Sequence, residues 1–170
     1  EQKGLTENQI VQGDPPTVLP MRTDPNSTGS IIRSYRKEAP HLRVCAAFDP
    51  YSREPWKELD EIARKKETGA CGFFTQRVFD YKLFDLCREW LQGEDVFWGL
   101  SPVIGPRSRS YWETTNHVVF PGNFSTTLES NIAFAQTILR ELGRDHGSAY
   151  LMPVRIKLEQ YLPALLEAAS

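Results

Sequence analysis

The chain has 170 residues, with 20 Lys and Arg against 22 Asp and Glu, a formal net charge of −2. That balance speaks against a nucleic-acid binder held by bulk charge, and 40% hydrophobic with 25% charged residues fits one globular domain and is too apolar for a disordered chain. No apolar run approaches the roughly 20 residues of a membrane helix, and the opening Glu1-Gln2-Lys3-Gly4 has neither Met nor a signal pattern, as expected of a processed chain or a fragment.

Strand-like and helix-like runs alternate along the chain. Gln9-Ile10-Val11 is a strand running into Gly13-Asp14-Pro15-Pro16, and residues 17–30 read as a long connection. A short helix is predicted over 31–36, then a buried strand over Leu42–Phe48. Trp56, Leu59, Ile62 and Ala63 share one helical face, ended by Gly69. Cys71–Gln76 is the third strand, followed by a helical stripe of Phe79, Leu83, Leu86 and Trp90. Val96–Val103 is the fourth strand, and residues 104–124 read as irregular apart from a short helix near Tyr111. Thr126-x-x-Glu129 matches a capping box opening a helix through Leu128, Ile132, Ala135, Ile138 and Leu142, stopped at Gly143. Ala149–Met152 is the fifth strand, and Leu158, Tyr161, Leu162, Leu165 and Leu166 make the last helix.

Strand-then-helix repetition implies an α/β fold of parallel strands with crossover helices. The near-continuous apolar character of the strands predicts that both sheet faces are covered. An open doubly wound sheet and part of a (βα)₈ barrel both fit, and in either one functional residues sit where strands end.

Cys45, Cys71 and Cys87 lie in apolar segments and cannot all pair within one chain, so a reducing compartment is expected. Asp14, after a strand and before two stiffening prolines, is either a presented carboxylate or a turn residue. Gln76 ends a strand with a donor and an acceptor, suited to the edge of a heteroaromatic ring or to neighbouring backbone. Arg64, Lys65 and Lys66 close a helix, as a solvated end or a phosphate contact. Arg155 follows the last strand and suits a carboxylate or a surface ion pair. Dinucleotide, P-loop, zinc-protease and nucleophile-elbow motifs are all missing, and His41, His117 and His146 have no metal-ligand spacing.

Ile10-Val11-Gln12-Gly13-Asp14-Pro15-Pro16 resembles the L-R-G-D-P-P signature of methylenetetrahydrofolate reductases, at the end of their fourth barrel strand. Val44-Cys45-Ala46-Ala47-Phe48 resembles the family's V-A-A-Y. Arg64-Lys65 before Thr68-Gly69-Ala70 resembles its K-R-K-x-x-A-G-A helix end. Gly72-Phe73-Phe74-Thr75-Gln76-Arg77-Val78-Phe79-Asp80 resembles F-I-T-Q-x-F-F-D, and Leu100-Ser101-Pro102-Val103 resembles G-I-x-P-V. The five segments come in family order and span the chain from about Asn8 to Arg155.

The resemblance implies strands four to eight of a TIM-type (βα)₈ barrel that binds FAD. The implied reaction is reduction of 5,10-methylenetetrahydrofolate to 5-methyltetrahydrofolate, with NAD(P)H as reductant. It implies a cofactor site at Gln12, Gly13, Asp14, Phe48, Arg64 and Lys65, with Arg64 and Lys65 on the FAD phosphates. Asp14 would tune the flavin and help bind folate, Gln76 would hydrogen-bond the pterin, and Arg155 would approach the glutamate tail. Gln12 stands where the family has Arg, and Phe48 where it has Tyr. The family's general-acid Glu belongs to strand one, outside this stretch. A whole barrel takes about 250 residues, so an N-terminal half, a partner chain or a homo-oligomer is expected to complete it. The other reading is a non-catalytic barrel remnant serving as a structural or assembly subunit. Neither nucleic acid nor membrane is expected as a partner, and the expected location is the cytoplasm, or an organelle matrix after processing.

Overall fold

The computed structural model describes residues 7–10, 28–145, 147–154 and 158–166. Its elements run β1 (Glu7–Ile10), α1 (Thr28–Glu38), β2 (Arg43–Phe48), α2 (Pro55–Glu67), β3 (Phe73–Thr75) and α3 (Tyr81–Trp90). They continue as β4 (Val96–Leu100), α4 (Gly105–Thr115), α5 (Leu128–Arg144), β5 (Ser148–Leu151) and α6 (Leu158–Leu166). The fold is α/β. All neighbouring strands are parallel and the sheet order is β1-β2-β3-β4-β5. A doubly wound sheet reverses its order at a switch point; these five strands do not.

Alternation along each strand separates the two faces. Val44, Ala46, Phe48, Phe73, Trp98 and Leu100 pack in one cluster with Ile32 of α1, Ile62 of α2, Phe84 and Cys87 of α3, Ile138 of α5 and Tyr161 of α6. The helices of that core therefore share one face. The other face carries half-buried Phe74, Phe97 and Tyr150, with the Phe74 and Phe97 rings stacked at 4.5 Å. Among the described residues the expected covering is therefore complete on the helix side and partial on this face, because chain-order winding keeps the described crossovers on one side. Gly99 lets Tyr150 lie across the sheet: its hydroxyl donates to Thr75 O at 2.7 Å, and a Cβ at Gly99 would stand 2.8 Å from that hydroxyl.

Local chemistry sets the element ends. The Asp80 side chain accepts from Lys82 N and Leu83 N and opens α3. Pro55 starts α2 without needing its missing N–H, and Gly69, at φ +103°, turns the chain out after it. Thr127 caps α5 by accepting from Ser130 N, one residue later than the expected box, and α5 runs past Gly143 to Arg144. β4 stops at Leu100 short of Pro102, which has no ladder donor. Residues 104–124, expected to be largely irregular, contain the three-turn α4, with Pro106 in its first turn and Trp112 fully buried.

Two helical faces differ from their expected stripes. On α3 the buried residues are Phe84 and Cys87, followed by Leu91, while Leu86 is exposed and Phe79 belongs to a second core. On α2 the buried residues are Glu58, Ile62 and Lys65, while Trp56 and Leu59 are 61% and 42% exposed. Among the described residues no helix is long and apolar enough to cross a membrane.

Candidate functional site at the strand ends

The C-terminal ends of β2, β3 and β4 lie side by side, joined where Gln76 N donates to Phe48 O at 2.6 Å. The loops beyond them and α4 build the second core from Phe79, Val103, Trp112, Val118 and Phe120, with Tyr51 and Phe124 against it. Asn131, buried on α5, fastens this layer to that helix. Its Oδ1 accepts from Val103 N at 2.8 Å, and its Nδ2 donates to Val103 O, Ser125 O and Thr127 O. The sequence gives no hint of that role, since the four groups lie far from Asn131 or belong to its own cap.

Polar groups line this rim. The Arg77 guanidinium lies 4.6 Å from the Trp112 ring centre. Arg77 Nε, Ser101 Oγ, Trp112 Nε1 and Asn116 Nδ2 are buried without a hydrogen-bond partner among the described residues. Such donors carry a desolvation cost that a bound polar group would offset. Asp49 accepts from Tyr51 N at 2.9 Å; burial raises its carboxyl above the ordinary range, against the pull of Arg77, Arg53 and Lys65. Burial also pushes the Tyr51 phenol up. Beside the rim, a cleft of about 450 Å³ opens between residues 79–82, the 121–125 loop and the start of α5, walled by the Tyr81 and Phe134 rings.

Below the rim, α2 turns charges inward. Lys65 Nζ donates to Ala47 O at 2.7 Å and lies 3.7 Å from Glu61. Arg53 pairs with Glu58 at 3.0 Å, and Arg64 pairs with Glu61 at 2.5 Å. Burial raises the Glu58 carboxyl and lowers the Lys65 ammonium, while Glu61 is held below its ordinary range by Arg64 and its neighbouring cations despite desolvation. Lys66 pairs with Glu94.

The structure therefore brings Arg64 and Lys65 together in one charged column. It places Gln76 at the rim, with its side-chain oxygen accepting from Arg77 N at 3.3 Å. Phe48 is 1% exposed and packs edge-on against Trp90 in the helix-side core, so its ring fills the core and offers no edge to a ligand. Gln12, Gly13, Asp14 and Arg155 lie outside the described residues, as do Val11 and His146. Among the described residues no group of His, Cys, Asp and Glu is arranged to hold a metal ion. No protein-family model matches the chain, and neither does any of the curated proteins compared with it.

Proposed function

We propose that the chain is part of a methylenetetrahydrofolate reductase-like barrel that reduces 5,10-methylenetetrahydrofolate with NAD(P)H through FAD. The observation that carries this reading is the charged column on the inner face of α2, where Glu58 and Lys65 are buried, Glu61 is half-buried and the apolar Trp56 and Leu59 are turned out. Buried ion pairs rarely stabilise a fold relative to apolar packing, so a helix that hides its charges and exposes its Trp points to a binding role. The same column holds Arg64 and Lys65, the residues that the resemblance puts on the cofactor phosphates. A sheet adding strands in chain order with its helices on one side is also what a barrel portion requires.

The donor set fits an anionic cofactor in kind. Arg53 and Arg64 are half-exposed cations flanking Lys65, and a pyrophosphate would take the place of Glu61 as partner for Arg64. Bound FAD supplies the hydride-accepting and hydride-donating ring. Gln76 orients the pterin from the strand end through its donor and acceptor, Arg77 and Ser101 contribute further donors, and Asp14 tunes the flavin and helps bind folate. The second core stands beside these donors, with the Trp112 ring against the Arg77 guanidinium.

Native mass spectrometry of the protein purified from its source tests this reading. A mass increment equal to FAD, with Gln76→Ala weakening folate binding, supports it. A flavin-free chain bound to a larger partner overturns it. That result would leave the structural-subunit reading, which the burial of Phe48 favours.

A further inference from the structure

We infer that Cys45 and Cys71 form a peroxide-sensitive dithiol, a modification site at the opposite end of the sheet from the rim. Their sulfurs stand 4.0 Å apart, on β2 and on the segment leading into β3. Cys71 N donates to Val44 O and Ala46 N to Gly72 O, both at 2.9 Å, so the two segments already run as neighbouring strands. With Ala46 opposite Phe73, Cys71 stands one residue off direct register from Cys45, and a strand spacing of about 4.8 Å with a rise of about 3.3 Å per residue puts their Cα atoms roughly 6 Å apart, inside the roughly 4.4–6.8 Å that a disulfide spans. Closing the sulfurs therefore takes side-chain rotation rather than backbone movement.

The two thiols are built for different parts. Cys71 is partly exposed, and its sulfur touches both Val44 O and the Arg43 guanidinium. Arg43, tied on its other side to Asp95, sets a cation against the sulfur that carries negative charge during attack. Cys45 is completely buried behind it, sheltered from outside reagents and placed to resolve the product. The third thiol, Cys87, is buried among α3 and sheet side chains, and burial pushes it up to about 12. That group is inert by comparison.

The oxidant is hydrogen peroxide. Cys71 Sγ, as thiolate, attacks a peroxide oxygen; the O–O bond breaks, a sulfenic acid forms and the departing hydroxide leaves as water. Cys45 Sγ then attacks the Cys71 sulfur; the S–S bond forms, the S–O bond breaks, and the Cys45 proton leaves with the hydroxyl as a second water. Two thiols lose two electrons and two protons, and one peroxide becomes two waters. The inference is independent of the flavin reading.

The test is titration of the whole chain with hydrogen peroxide, followed by intact mass and peptide mapping under acid quench. The expected result is a loss of about 2 Da, a Cys45–Cys71 cross-linked peptide, and Cys87 still a thiol. Cys45→Ser should instead accumulate a sulfenic acid at Cys71 that a dimedone probe captures. Arg43→Ala should slow cross-linking several-fold and Arg43→Lys restore part of the rate. Direct passage of wild-type Cys71 to sulfinic acid without a cross-link, or oxidation of Cys87 at the same rate, overturns the inference. The wild-type map decides the matter even where a variant fails to fold.

Discussion

Lys65→Met separates the charge of the α2 column from its bulk, because Met keeps most of the aliphatic stem and its packing. The Lys65 side chain is only 8% exposed, and its ammonium serves Ala47 O at 2.7 Å and Glu61 at 3.7 Å. Leaving a buried carbonyl short of a donor costs about 1–3 kcal/mol. Removing one member of a buried ionic cluster costs about 3–5 kcal/mol when nothing else compensates. Compensation exists here, since Arg53 stays on Glu58 and Arg64 on Glu61. The two costs overlap, so the expected loss is about 2–4 kcal/mol at pH 7. Lys65 lowers both Glu58 and Glu61, so its removal raises both carboxyls in the folded state. A raised carboxyl favours the fold at low pH and loses that advantage as pH climbs through its folded value. The gap between wild type and variant should therefore be widest near neutrality and narrow as pH falls toward the carboxylate range. Urea unfolding followed by Trp fluorescence at several pH values measures it. A variant within about 0.5 kcal/mol of wild type at pH 7, with a parallel pH profile, would refute the idea that Lys65 neutralises a buried acidic pair.

Four further outcomes follow from the geometry. Gly99→Ala should push Tyr150 off Thr75 O and lower stability by about 1–3 kcal/mol, read in denaturant unfolding; no change would mean that the tyrosine does not cross the sheet. Trp112→Phe removes an N–H that has no partner among the described residues, so its cost should stay below the roughly 3–5 kcal/mol of a full aromatic truncation, while Trp112→Ala reaches that range; equal losses would show a hidden hydrogen bond. Asp49, raised by burial, contributes stability below its unfolded pKa that is lost as pH rises through the folded value. Asp49→Asn should therefore flatten the stability profile upward from the ordinary carboxylate range, and an unaltered slope would count against a buried carboxyl there. Asn131→Ala leaves Val103 N and O without their side-chain partner and should loosen the 121–127 loop, seen as faster amide exchange there; unchanged exchange would show the loop is held elsewhere.

Much of the fold is written in local patterns. The apolar runs at 43–48 and 96–100, the spacing of Ala135, Ile138 and Leu142, and the Asp80 cap need only neighbours within a turn or a strand to act. The inner face of α2 is harder to read, because two periodicities share the helix. Trp56, Leu59 and Ile62 recur at helical spacing, and so do Glu58, Ile62 and Lys65. Hydrophobicity chooses the first, whereas the partners that make the second tolerable, Arg53 and Ala47 O, come from outside the helix. α4 escapes for a related reason: it buries only Ser108 and Trp112, too little for a stripe, and opens with Gly105-Pro106, which reads as a turn. At the site, Gln76 follows from its position at a strand end. Arg77 over Trp112 and the meeting of Cys45 with Cys71 depend on strand register and loop packing, which no spacing along the chain encodes.

The order of the sheet has a consequence for how the molecule is made. Among the described strands each pairs with the one synthesised just before it, so the ladders between them need no distant segment. Assembly can advance by accretion from the ribosome, one strand and helix at a time, with loop closures confined to the length of a single crossover. The second core is the late step. It gathers Tyr51, Phe79 and Trp112 from three separate crossovers, so the rim should be the last part to order and the first to open.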